Sequence, residues 1–231
     1  SRIRLPKGFK IELLYSVPSA EQGSWVAMCQ DEKGRLIVSD QYGGLFRIPI
    51  PKLGQPVDPA SVEPITWTPD NTPVRRGEKK PEQKPVDPAL KKLPNIGHAQ
   101  GLCYAFDSLY VVVNSRRSET GSGVFRLLDT DGDDQFDKIV TIKKLAATGG
   151  EHGPHAILPA PDGKHLYVVM GNQTQLPEGY THSRVPEVWG EDQLFPSLQH
   201  FMKGAEAPLG HVAQIDPEGK TWEISATGFH N

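Results

Sequence analysis

The chain has 231 residues, a formal net charge of −3 and 37% apolar residues. This length and apolar content suit one large domain with its own core. The net charge gives no support to nucleic-acid binding, and no run of 18 apolar residues is present to span a membrane. The 23 glycines and 21 prolines indicate many turns and little long helix.

The first predicted strand is an edge strand over residues 10–15, and a regular unit begins at Trp25. This unit contains three predicted strands, at 25–29, 35–39 and 45–48. Tight turns at 31–34 and 43–44 separate them. Short strands joined by tight turns are typical of an antiparallel meander.

The same unit recurs twice. The second copy has predicted strands at 101–106, 109–114, 123–128 and 138–142. The third has them at 155–158, 166–171, 210–215 and 221–224. Four-stranded meanders in series indicate β-propeller blades. We therefore predict an all-β fold, a β-propeller of four-stranded antiparallel blades near 25–50, 97–145 and 150–227.

Two long irregular insertions interrupt the repeat, at 49–95 and 173–209. The first is rich in proline and charge, which predicts an exposed loop. A basic docking surface around 75–80 is the alternative. The second is predicted to contain a short helix near 191–202.

About three blades form an incomplete ring, because propellers typically have four to eight. We expect the chain to be the N-terminal part of a single propeller domain. The missing blades would come from further residues or from another chain. By itself the chain is expected to be inactive.

The two cysteines, Cys29 and Cys103, each lie in an apolar run, which predicts buried free thiols. A disulfide would require the two to be adjacent in space, which sequence alone leaves open. No Cys-x-x-Cys-His motif is present, so no c-type haem is expected to attach to this chain.

An acidic stretch follows the third strand of the second unit. Carboxylates at alternate positions around a glycine can wrap a hard cation such as calcium. The predicted ligands are Asp129, Asp131, Asp133, Asp137 and the backbone carbonyl of Gln135. The stretch is not an EF-hand, because its glycine precedes the third acid and no glutamate stands at position 12. The alternative is a solvated acidic hairpin without metal.

A glycine-rich turn with two histidines opens the third unit. His152 and His155 lie three residues apart, and Glu151 precedes them. Three roles stay open from the residues alone: metal ligation, structural hydrogen bonds to loop carbonyls, and general-base catalysis at the mouth of a pocket. Imidazole suits the last role because its ordinary pKa lies near neutrality.

The motifs around this turn resemble those of the soluble quinoprotein sugar dehydrogenases. Residues 150–155 read Gly-Glu-His-Gly-Pro-His, and residues 161–167 read Pro-Asp-Gly-Lys-His-Leu-Tyr. This pair is similar to the family's His-x-x-Gly-x-Leu and Gly-Pro-Asp-Gly-x-Leu-Tyr segments. The resemblance implies a six-bladed propeller that holds pyrroloquinoline quinone (PQQ) and calcium, with His152 as the catalytic histidine.

Two further segments resemble quinone-contacting segments of that family. Residues 99–102, Ala-Gln-Gly-Leu, resemble its Gln-x-Gly-Leu segment, and residues 228–231, Gly-Phe-His-Asn, resemble its Gly-x-Arg-Asn segment. The resemblance implies that Gln100 and Asn231 contact the quinone. His155 stands where the family has a small glycine, which places it in the same cofactor site. Gln100 directly precedes its glycine, whereas the family glutamine stands two residues before it.

The chain is most similar to the sorbosone-dehydrogenase-like, haem-binding branch of exported bacterial proteins. Segments 22–25, 39–44, 107–111 and 189–192 carry this likeness. The resemblance implies a periplasmic or secreted bacterial protein that passes electrons to a cytochrome c. The expected reaction is oxidation of a sugar or alcohol, in which His152 removes the hydroxyl proton while hydride passes to PQQ. The competing hypothesis is a non-catalytic propeller that binds carbohydrate or a protein partner.

Overall fold

The structure of the chain is a computed structural model. It describes residues 3–68, 87–116, 118–147, 149–185 and 208–230. Within these ranges the protein is all-β, with three sheets in chain order, a four-residue α-helix α1 (Ser19–Gln22) and short 3-10 turns at Pro59–Ser61 and Leu90–Lys92. None of the helices in the described ranges has the length and apolar character needed to cross a bilayer.

The first two sheets are antiparallel meanders of four strands. The first contains β1 (Trp25–Gln30), β2 (Leu36–Asp40), β3 (Leu45–Ile48) and β4 (Glu63–Pro64). The second contains β5 (Ala99–Ala105), β6 (Ser108–Val113), β7 (Gly123–Leu128) and β8 (Lys138–Lys144). In each sheet every strand pairs with the next one along the chain, as expected for a propeller blade.

The third sheet has the same antiparallel core and one added edge strand. Its strands are β9 (Pro154–Pro159), β10 (Leu166–Met170), β11 (His182–Ser183), β12 (Gly210–Ile215) and β13 (Trp222–Phe229). The order across the sheet is β9-β10-β12-β13-β11, and β11 runs parallel to β13. None of the three sheets in the described ranges closes on itself.

These sheets confirm the predicted all-β class and its four-stranded antiparallel, propeller-like blades. Two differences concern the first unit. The predicted edge strand at 10–15 does not form, although the Leu14 carbonyl accepts a hydrogen bond from Val57 N–H at 2.8 Å. The fourth strand of the first sheet, β4, lies inside the segment predicted as an insertion. The basic stretch 75–80 and the helix expected near 191–202 lie outside the described residues.

The second sheet is the middle layer, because both of its faces are buried. All six residues of β6 are buried, and consecutive side chains pack on opposite sides. Leu109, Val111 and Val113 join the cluster shared with the first sheet. Tyr110 and Val112 join the cluster shared with the third sheet. The apolar run of β6 therefore reflects burial on two faces.

The first strands of the three sheets stand side by side. Strand β5 packs between β1 and β9, so β1, β5 and β9 form an inner row from which each sheet extends outward. One end of this row holds the starts of β5 and β9 and the end of β13. The other end holds the hairpin turns that join β1 to β2, β5 to β6, and β9 to β10. We call these the histidine end, after His98, His152, His211 and His230, and the turn end.

An ion cluster joins the first two sheets at the turn end. Asp134, in the β7–β8 turn, accepts hydrogen bonds from the Arg35 guanidinium at 2.6 and 2.7 Å and lies 3.0 Å from Lys33 Nζ. The buried Arg47 donates to the Asp134 carbonyl at 2.9 Å and to Glu63 at 3.0 Å. A bidentate carboxylate–guanidinium pair is among the stronger ionic contacts in proteins. The β7–β8 turn is thus anchored to the first sheet.

We predict that Asp134→Asn destabilises the protein by about 1–3 kcal/mol, because it removes the charged carboxylate that accepts two hydrogen bonds from the partly buried Arg35 guanidinium. Urea unfolding in the presence of EDTA measures the change. The matched control is Asp107→Asn, in the exposed β5–β6 turn, where asparagine also tolerates the observed φ of 52°. Equal unfolding midpoints for the two variants would contradict the anchoring role.

Candidate functional site

The first strand of every sheet carries a β-bulge at the same position. In β1 the pairing with β2 shifts between Trp25 and Ala27. In β5 it shifts between Ala99 and Gly101, which leaves Gln100 as the extra residue. In β9, Ala156 pairs with Val169 of β10 and Pro154 pairs with Met170, which leaves His155 as the extra residue. Bulges redirect side chains and are common next to active sites.

The structure therefore places two predicted cofactor residues, Gln100 and His155, at equivalent positions on neighbouring inner strands. The two positions are close in space. A Cβ atom added to Gly101, directly after Gln100, would lie 2.5 Å from the His155 carbonyl oxygen. A side chain at residue 101 would therefore push β5 and β9 apart. The glycine is required for the two bulges to lie side by side.

His152 lies just before β9 and is held by its backbone and by its ring. Its N–H donates to the Gln173 side-chain oxygen at 3.2 Å, and its carbonyl accepts from Gln173 N–H at 2.9 Å. Its ring packs edge-on against His230 with the centroids 4.3 Å apart. Ring atom Nδ1 lies 3.3 Å from the His230 carbonyl oxygen. Because a carbonyl can only accept, Nδ1 carries the proton and Nε2 is the basic nitrogen.

The glycine-rich turn that carries His152 packs against the second sheet. Asn114, directly after β6, donates from Nδ2 to the Gly150 carbonyl at 2.8 Å. A Cβ at Gly153 would lie 2.3 Å from the Asn114 amide group, so the close contact requires glycine. The side-chain oxygens of Asn114 and Asn172 are buried and accept no hydrogen bond from a described residue. Buried acceptors of this kind are uncommon in native proteins and often mark a functional site.

His155 has a different environment. Its Nε2–H donates to the Glu151 carbonyl of the same turn, which ties the ring to its own loop. Of the three roles that the sequence leaves open, this contact represents a structural hydrogen bond to a loop carbonyl. No group of three or more metal-ligating side chains within the described ranges includes His152 or His155.

Two residues at the histidine end, His98 and Arg116, are not among the predicted site residues. His98 directly precedes β5, is 4% exposed and has a φ of 56°, which is unusual for a residue with a side chain. Its ring lies 6.2 Å from the Tyr42 ring. Arg116 is exposed, and its Cγ would lie 3.0 Å from a Cβ added to Gly149. It brings a cation next to the turn of His152. The sequence gives one indication that His98 belongs to this end: it directly precedes the Ala-Gln-Gly-Leu segment.

His211, at the start of β12, is fully buried. Its Nδ1–H donates to the Leu209 carbonyl at 3.1 Å. Burial lowers the pKa of His211, because the charged imidazolium would lose its hydration. The folded protein therefore holds this side chain neutral.

The predicted metal ligands lie at the turn end. Carboxylate oxygens of Asp129, Asp131 and Asp137 lie within 4.8 Å of one another. That spacing fits oxygen ligands around a calcium ion, whose bonds are about 2.3–2.6 Å long. The Asp133 carboxylate instead accepts from Gln135 N–H at 2.8 Å. The structure thus brings together three of the four predicted carboxylates.

The acidic turn also has internal contacts that need no ion. Asp129 accepts from the N–H groups of Gly132 and Asp134 at 2.7 and 2.8 Å, and Asp137 accepts from the Thr130 hydroxyl at 2.7 Å. The strands between this turn and the histidine end have six or seven residues. At about 3.3 Å per residue they separate the two ends by roughly 20 Å. A metal at Asp129 therefore lies too far from His152 to act on the same ligand.

The remaining predicted positions are placed as follows. Cys29 and Cys103 are free thiols, and burial raises their pKa values to about 12 and about 11. Cys103 packs between the second and third sheets, whereas Cys29 packs against the cluster between the first and second. The two thiols therefore lie in different apolar clusters, on opposite sides of the second sheet. Asn231 lies outside the described residues.

No model of a known protein family matches this chain. A search of curated protein sequences also finds no match.

We predict that stability falls as pH drops through the unfolded-state histidine pKa of about 6.5, because unfolded His211 gains a proton that folded His211 resists. One proton corresponds to a slope of up to about 1.4 kcal/mol per pH unit. Urea unfolding between pH 7.5 and 5.0 should show a flatter profile for His211→Gln. His165→Gln, at the exposed β9–β10 turn, is the control. A profile unchanged in the His211 variant would refute this assignment.

Proposed function

We propose that the histidine end forms part of a site for PQQ, at which a sugar or alcohol is oxidised. The single observation that carries this proposal is the contact of His152 Nδ1 with the His230 carbonyl oxygen at 3.3 Å. In this contact Nδ1–H donates to the carbonyl, which leaves Nε2 as a base for a hydroxyl proton.

Groups around His152 suit the cofactor chemically. PQQ carries carboxylates and carbonyls, and it would supply the hydride acceptor. The Gln100 amide can donate a hydrogen bond, and the exposed Arg116 guanidinium beside Gly149 can pair with a carboxylate. The buried oxygens of Asn114 and Asn172 can accept hydrogen bonds from a ligand or from water. These side chains would bind and orient, while His152 removes the proton.

The proposed location and electron acceptor of the protein rest on the motif resemblance. We propose that the protein is periplasmic or secreted in a bacterium and passes electrons to a cytochrome c.

A non-catalytic role, in which this end binds carbohydrate or a protein partner, is the second candidate. It is favoured by the low exposure of His152, 8%, and by the bond that ties the His155 ring to its own loop. Low exposure and a ring hydrogen bond to a backbone carbonyl are both typical of histidines that stabilise a loop. Binding to a glycan array without binding of PQQ would favour this role.

We predict that, once the missing blades complete the ring, the chain binds PQQ in the presence of calcium and the bound quinone is reduced when an aldose is added. Quenching of tryptophan fluorescence measures binding, and quinone absorbance measures reduction. His152→Asn should slow reduction by about 10²–10⁴-fold, the usual contribution of a general base, and leave quinone affinity within a few-fold.

His165→Asn, which changes an imidazole at the turn end, is the matched control and should leave both quantities unchanged. Failure of the folded chain in the completed ring to bind PQQ would refute the cofactor. Binding with reduction unaffected by His152→Asn would refute the base while leaving the cofactor in place.

We also propose that Asp129, Asp131 and Asp137 bind calcium at the turn end as a structural ion. We predict that terbium luminescence or calorimetry detects binding, and that Asp131→Asn and Asp137→Asn each weaken it by at least about tenfold through loss of a charged ligand. Asp162→Asn, which removes a carboxylate in the β9–β10 turn, is the control. Equal affinity in all variants would assign the cluster to a metal-free hairpin.

A further inference from the structure

The buried Arg47 at the turn end has an N–H group that meets no acceptor among the described residues. Arg47 is 3% exposed, and its Nη1 donates to Glu63 and to the Asp134 carbonyl. Its Nε is fully buried, and no described residue accepts a hydrogen bond from it. A buried charged donor without an acceptor costs free energy, and native proteins satisfy such donors with protein groups or with ordered water.

The Asp31 carboxylate lies just beyond hydrogen-bonding distance of this donor. Asp31 Oδ2 is 3.9 Å from Arg47 Nε, whereas direct N–H···O bonds measure about 2.7–3.2 Å. This oxygen already accepts from Arg35 Nε at 2.8 Å, and a carboxylate oxygen can accept from a second donor. A separation of this size between a donor and an acceptor is one that a water molecule can bridge.

A small polar cavity is lined by both residues. About 20 Å³ of it is open to the centre of a water-sized sphere, and its lining also includes Arg35, Asp129 and Asp134. A polar cavity needs at least about 10–15 Å³ by this measure to hold one water. The lining offers a donor at Arg47 and acceptors on the carboxylates. Its occupant must therefore both accept and donate hydrogen bonds, which water does and a metal ion or an anion does not.

The second sheet contains an arginine at the position of Arg47. Arg126 pairs with Tyr110 of β6, as Arg47 pairs with Ile37 of β2. The Nε–H of Arg126 donates to the hydroxyl of Ser108 at 2.9 Å. In the second sheet a side-chain hydroxyl therefore satisfies the equivalent donor.

The first sheet has no hydroxyl at that position. Ser108 stands two residues before Tyr110, and the residue two before Ile37 is Arg35. The Arg35 guanidinium is bound to the carboxylates of Asp31 and Asp134, and it has no acceptor atom to offer. The oxygen that the second sheet obtains from serine must come from another source in the first sheet.

We propose that an ordered water molecule binds in this cavity, where it accepts from Arg47 Nε and donates to Asp31 Oδ2. It takes the place of the serine hydroxyl of the second sheet. The carboxylates of Asp129 and Asp134, which also line the cavity, are the candidate acceptors for its second hydrogen. The water links β3 to the β1–β2 turn within the ion cluster that joins the first two sheets. Its binding is independent of PQQ and of calcium.

Nuclear magnetic resonance of the full chain in the presence of EDTA tests the proposal. The Nε–H proton of Arg47 should show a rotating-frame Overhauser cross-peak to water, with the sign that marks a bound molecule rather than proton exchange. The Nε–H of Arg35, which donates directly to Asp31, is the internal control and should show none of comparable strength. A crystal structure should place a water oxygen about 2.7–3.2 Å from Arg47 Nε.

Tyr104→Phe distinguishes water from a neighbouring hydroxyl group. Tyr104 also lines the cavity, and a hydroxyl proton that exchanges with solvent would give a cross-peak at the same frequency. Phenylalanine keeps the ring and removes this hydroxyl, so the Arg47 cross-peak should persist at comparable strength. Loss of the cross-peak in this variant, its absence from the folded wild-type chain, or a direct Arg47–Asp31 bond in the crystal would each overturn the proposal.

Discussion

The close approach of the inner strands is the constraint on which the array depends. A bulge in each of β1, β5 and β9 is followed by a small residue: Ala27, Gly101 and Ala156. At Gly101 the adjoining backbone leaves no room for a side chain, since an added Cβ would lie 2.5 Å from a carbonyl oxygen. Because the strands approach so closely, the outer strands fan apart and leave space for the two apolar clusters between the sheets. A repeated local feature thereby sets the spacing of the whole molecule.

The two ends of the sheets have different chemistry. The turn end is acidic, and its ions serve packing: Asp134 links the β7–β8 turn to Arg35 and Arg47 of the first sheet. The histidine end carries imidazoles and amides, several of which contact backbone carbonyls. Strands of about 20 Å separate the ends, so a charge change at one is largely screened from the other at physiological ionic strength. A turn-end ion would therefore influence the histidine end only through the packing of the sheets.

Much of the fold could be predicted because each sheet repeats the same strand and turn pattern. Strands β3, β7 and β12 are predicted at their observed bounds, since a glycine precedes or begins each and apolar residues alternate or cluster within it. The two failures have local causes. The apolar residues at 10–15 suggested a strand, but no neighbouring strand pairs with them in the described ranges. Strand β4 has only two residues and ends in Pro64, so it has no periodicity to detect.

The bulges explain why the site was harder to predict than the fold. A bulge is a relation between two strands, and neither strand shows it in isolation. From sequence, Gln100 stood one residue away from the expected glutamine position, and His155 replaced an expected glycine; these looked like two unrelated departures. In the structure they are the same position on adjacent inner strands. A residue lost or gained before Gly101 would move the bulge, and with it the side chain presented to the site. The spacing between bulge and glycine is therefore the feature to compare when this end of the protein is set beside any quinone-binding propeller.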